Sequence, residues 1–70
     1  MSRLTRRGIH IIEREDGKRT VYVETHNRDS VGEAIITTPL TVREIEARLH
    51  GLQTHGTRRD RINAIKAALQ

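Results

Sequence analysis

The run Thr57-Arg58-Arg59-Asp60-Arg61 holds the densest set of chemically capable side chains in this 70-residue chain. Its three arginines crowd the first turn of a segment whose pattern predicts a helix. That end of a helix dipole favours anions over cations. Such a cluster suits either a solvated surface turn or an anion site in which arginines and first-turn N–H groups face phosphate or a partner's carboxylates. In the second case Arg58, Arg59 and Arg61, with Lys66 further along, would contact phosphates, while Thr57 would cap the helix and donate to one. Arg3, Arg6 and Arg7 form a second cationic group near the start of the chain.

Catalytic arrangements are not evident. A nucleophilic triad would draw on Ser2 or Ser30, and the His26, Asp29, Ser30 group reads as a polar turn rather than a strained elbow. Gly51 and Gly56 lack the Lys-Ser/Thr neighbours of a phosphate loop. His50 and His55 are five residues apart, and a metal would need further ligands such as His10 or His26, with no cysteine present. The expectation is a non-enzymatic protein without metal or cofactor.

The elements that would position these groups can be read in turn. Gly8–Arg14 and Arg19–Thr25 alternate as two strands, and Asp16-Gly17 between them signals a hairpin. Ile9, Ile11, Val21 and Val23 then share the face expected to meet the helices. His10, Ile12, Thr20, Tyr22 and Glu24 fall on the other. His26 to Ser30 reads as a turn, and residues 31–38 read as a third short strand. There the adjacent Ile35 and Ile36 imply burial on both faces of the sheet, because neighbouring strand residues point to opposite sides.

Two helices follow. Thr41 and Glu44 form a capping box, Leu40 and Ile45 match a hydrophobic staple, and Val42, Ile45, Leu49 and Leu52 recur at helical spacing. Gly51 or Gly56 ends this first helix. The second starts at Thr57, with Asp60 as a weaker capping partner and Ile62, Ile65 and Leu69 as its apolar stripe. The expected fold is a small single α+β domain, an antiparallel β-hairpin plus third strand followed by two helices (βββαα). Residues 1–7 are expected to be a flexible basic arm and 8–70 the domain, with the three-stranded sheet over 8–38 and the helix pair over 41–69.

Composition narrows the class. Tyr22 is the sole aromatic, and the large aliphatics are eight Ile, five Leu and four Val plus Met1. So thin a core without disulfides points to a homodimer or to completion on a partner. The formal charge of +4 is unevenly spread: 1–19 carry six basic and three acidic groups, 20–56 three and five, and 57–70 four and one. Two basic ends that converged would make one phosphate-binding face. No membrane span or signal peptide is read, and the expected location is cytoplasmic.

Two resemblances bear on this. Residues 34–69, with a short strand, Pro39, a helix, Gly56-Thr57-Arg58-Arg59 and a second helix, resemble a ribbon-helix-helix DNA-binding unit. This resemblance implies a phosphate held at the second helix start. Residues 8–52, with Asp16-Gly17-Lys18-Arg19 joining two strands and Thr41 opening a helix, resemble the arm-binding domains of tyrosine recombinases. The function expected is a small dimeric transcriptional regulator binding double-stranded DNA through Thr57, Arg58, Arg59, Arg61, Lys66, Arg3, Arg6 and Arg7. The alternative is a small protein-binding module, a stoichiometric inhibitor or adaptor of a larger protein target, which the acidic middle fits.

Overall fold

A computed structural model describes residues 2–4, 8–25 and 32–70, the first three by their backbone. Four antiparallel strands, β1 (Ser2–Leu4), β2 (Ile9–Glu13), β3 (Arg19–Val23) and β4 (Glu33–Thr38), form one sheet in the order β1-β2-β3-β4. Two helices, α1 (Val42–Leu49) and α2 (Arg58–Leu69), follow. The α+β class and the succession of strands then helices are as the pattern predicts.

The sheet has one strand more than expected. Ser2–Leu4 falls within the predicted flexible arm, but its backbone pairs with β2 in the register Ser2↔Ile12, Arg3↔Ile11, Leu4↔His10. The expectation is corrected for these three residues. Alternation is unreadable over so short a run, whereas the free edge of β2 supplies a row of donors and acceptors that satisfies any extended segment lying beside it. Met1, Arg6, Arg7 and the predicted turn at 26–30, together with Val31 of the third predicted strand, lie outside the described residues.

The β2–β3 turn follows its residue types. Gly17 takes φ +82, the Asp16 carboxylate accepts from Lys18 N–H at 3.0 Å, and the Arg14 N–H donates to the Lys18 carbonyl at 2.8 Å. Arg19 then clamps the sheet to the next connection. Its Nη1 donates to the carbonyls of Gly17 at 3.1 Å, Pro39 at 3.4 Å and Leu40 at 3.3 Å. The guanidinium thus ties the hairpin to the chain entering α1.

The helices cover one face of the sheet. Ile9, Ile11, Val21 and Val23 are buried beneath them as predicted, with Ile35, Ile45, Leu49, Ile62, Ile65 and Leu69 completing the core. The Ile35-Ile36 pair is resolved differently from the expectation. Val21 pairs with Ile36 and Tyr22 with Ala34, so Ile35 is the extra residue of a β-bulge. A bulge breaks the two-residue alternation. Ile35 is buried and Ile36 packs against the same core, so neither isoleucine covers the far face.

Both helices begin with complete capping boxes. The Thr41 hydroxyl accepts from Glu44 N–H at 3.1 Å while Glu44 Oε1 accepts from Thr41 N–H at 3.0 Å. The first helix ends at Leu49, where His50 N–H donates to the Glu46 carbonyl at 2.9 Å, and Gly51 follows with φ +74.

The hydrogen bond from Thr41 N–H, then that involving its side chain, holds the Glu44 carboxyl below its ordinary value. A depressed carboxylate pKa adds stability above the unfolded value and loses it as pH falls through the folded value. Glu44→Gln keeps the shape and removes the charge. The expected result is a lower Tm than the parent at neutral pH, with the difference shrinking once pH drops below the ordinary Glu range of about 4.3. Thermal unfolding at both pH values checks this, and a constant difference would show that the carboxylate charge contributes nothing.

Candidate nucleic-acid interface

The predicted cationic site resolves into residues with different duties. Thr57 caps α2: its hydroxyl accepts from Asp60 N–H at 3.2 Å, and the Asp60 carboxylate accepts from Thr57 N–H at 2.9 Å. This box is complete, not the weaker version expected, and it places a carboxylate over the first turn. A phosphate approaching the bare helix end would meet that charge. The box answers the N–H groups of Thr57 and Asp60 and leaves those of Arg58 and Arg59 in the first turn.

Arg58 is drawn toward the sheet. Its Nη1 donates to the Glu24 carbonyl at 2.8 Å, and its Nη2 lies 3.3 Å from Glu33 Oε1. It tethers the start of α2 to the residue after β3 and to the first residue of β4. The sequence places Arg58 four residues before Ile62, hence on the same side of the helix as the apolar stripe. That spacing is the signal by which a structural role was legible.

Arg59 and Lys66 stand apart from this. They are seven residues apart, about 10 Å along the axis, on the flank of α2 that borders Ile62. Arg59 is exposed and Lys66 half-buried. Arg61 lies on the opposite flank, half-buried beside Leu49, Leu52, Thr54 and Ile65. Arg3 enters only through its backbone in β1. The structure thus separates six of the eight predicted residues into a cap (Thr57), a tether (Arg58), a flank pair (Arg59, Lys66), an inward cation (Arg61) and Arg3 in the backbone of β1, while Arg6 and Arg7 lie outside the described residues.

Carboxylates are largely answered within the chain. Glu13 lies 3.7 Å from Arg19, Asp16 3.2 Å from Arg14, and Glu24 3.5 Å from His10 Nε2. Glu33 meets Arg58, while Glu44 and Asp60 are engaged as caps. The Lys18 backbone N–H, then the Arg14 guanidinium, keep the Asp16 carboxyl below its usual range. Among the described residues Arg43, Arg59 and Lys66 meet no carboxylate. The layer from Leu40 to Gln70 carries six basic groups against three acidic ones, and residues 8–39 carry four against six. The net positive charge therefore lies in the helix layer and in residues 1–7, which hold Arg3, Arg6 and Arg7 and no acid. Arg43, on the exposed side of α1, was not singled out by the sequence because it sits in a locally neutral Arg-Glu run.

The far face of the sheet has no covering layer among the described residues. His10, Ile12 and Tyr22 are half-buried there, and Thr20 Oγ1 and Thr37 Oγ1 lie 3.1 Å apart. No group of three or more His, Asp or Glu side chains is arranged for a metal among the described residues. His26, Asp29 and Ser30 lie outside them. No described helix is long and apolar enough to cross a membrane.

Fold and charge define a small α+β domain with a four-stranded antiparallel sheet and a cationic helix pair. Compared with known protein families, curated proteins and solved structures, the chain matches none.

Proposed function

We propose that this is a non-enzymatic DNA-binding protein, a small dimeric regulator that docks the exposed side of its helix layer on duplex DNA. The observation carrying this reading is the cationic excess of the helix layer, six basic against three acidic groups from Leu40 to Gln70, in which Arg43, Arg59 and Lys66 meet no carboxylate among the described residues. Phosphate attraction is long-ranged and sequence-independent, so unopposed cations on one layer are what steer a duplex to it. Dimerisation fits the thin core, since a domain of this size gains from burying more apolar surface.

Fluorescence anisotropy of a mixed-sequence duplex, at low and near-physiological salt, tests the proposal. Micromolar or tighter binding that falls steeply with salt is expected. Arg59→Ala combined with Lys66→Ala should weaken binding to every sequence and reduce the salt slope by about 2. Arg58→Ala should lower Tm and leave that slope unchanged, because its guanidinium is spent on Glu24 and Glu33. Absence of binding at low salt would remove DNA as the ligand.

A protein-binding module is the second reading, favoured by the sheet face that no described element covers, where Ile12 and Tyr22 are half-buried. A small apolar patch set among polar side chains suits a protein partner. In that case Tyr22→Ala would abolish a nuclease-resistant complex while Arg59→Ala would leave it intact.

A further inference from the structure

The outward flank of α2 carries an uncharged group between its two cations. Arg59, Asn63 and Lys66 follow at spacings of four and three, so they form one row along the helix. Asn63 is exposed. Among the described residues no hydrogen bond is recorded for its side-chain amide. Asparagine is a poor residue for a helix interior, because its amide competes with the backbone. It does not cap the helix, and its exposed amide has no hydrogen bond among the described residues to offset that cost. Beside it the exposed Ala67, four residues on, presents only a methyl group, which lets another surface approach the helix closely.

We propose that Asn63 is the base-reading residue of this protein, contacting an adenine in the DNA major groove. The inference rests on the DNA-binding reading above and adds what the site recognises. A carboxamide offers one donor and one acceptor side by side. Adenine presents the matching pair in the major groove, its N7 accepting and its N6 donating, whereas guanine presents two acceptors there. Arg59 and Lys66, about 6 Å and about 4.5 Å away along the axis, suit phosphates or guanine edges on either side. Ala67 is placed to touch the methyl of a neighbouring thymine. At twelve residues α2 spans about 18 Å, enough for one row of side chains to follow a short stretch of groove.

Selection of bound duplexes from a random pool, followed by affinity measurement on single-base variants of the selected site, tests this. The parent protein should select a site with a required adenine, and changing that base should weaken binding roughly 5- to 150-fold. Asn63→Ala should bring that ratio close to one while leaving affinity for scrambled duplex and the salt slope unchanged. Circular dichroism checks folding, which the substitution favours because alanine is the better helix former. A variant that keeps the parent's preference overturns the inference, as does a parent that binds duplex without preference. Both results leave the DNA reading standing. A parent that binds no duplex overturns both.

Discussion

Ile45→Ala is expected to remove a large share of the protein's folding stability. Ile45 is fully buried and is the staple residue by which α1 enters the core, packed with side chains from the sheet and from α2. Truncating a buried isoleucine removes apolar burial and leaves a cavity, at a cost of about 2–5 kcal/mol. A domain of this length has roughly 3.5–10 kcal/mol in all, at about 0.05–0.15 kcal/mol per residue. One substitution thus removes much of the total. Urea unfolding of the parent against the variant, followed by circular dichroism, checks it. A loss below about 1 kcal/mol would mean that the α1–sheet seam is not the centre of the core.

The second large effect is expected at Gly32, immediately before β4. Its φ is +126, and a Cβ there would collide with the Val23 carbonyl oxygen and lie 2.7 Å from the carbonyl carbon. An alanine would carry both an unfavourable dihedral and a contact with backbone, which cannot rotate aside as a side chain can. The pairing of β4 with β3 would have to shift, and with it the seat of Ile35 in the core. Gly17 separates the two causes: its φ is +82, and nothing lies within 4 Å of the added Cβ. Gly17→Ala should cost about 1–2 kcal/mol for the left-handed conformation alone. Gly32→Ala should cost clearly more, enough to lower Tm by ten degrees or more in a domain of this size, where about 1 kcal/mol shifts Tm by 4–8 °C. Equal effects in thermal unfolding would show that the strand start yields to the added methyl.

Much of this was legible along the chain. Thr41 with Glu44 and Thr57 with Asp60 announced both helix starts, because a capping box is completed within four residues and needs nothing distant. Asp16-Gly17 announced the hairpin for the same reason. Period-two alternation placed Ile9, Ile11, Val21 and Val23 on the buried face. The bulge at Ile35 was not legible. It depends on how β4 docks on β3, and the adjacent isoleucines read equally well as a two-faced strand.

The cationic site shows the same division. Composition along the chain marked Arg58, Arg59, Arg61 and Lys66 as one basic segment. The fold divides them by rotation around α2 and gives Arg58 to Glu33, a residue 25 positions away. It also joins Ser2–Leu4 to the sheet through backbone pairing that no side-chain pattern encodes. Local hydrogen bonds and periodicity are written in neighbouring residues, so the sequence by itself determined the elements, their caps and the buried face. Which charges cancel, which edge is paired and which cations stay outward depend on groups far apart in the chain. Only the tertiary structure decides those, because electrostatic pairing acts across space.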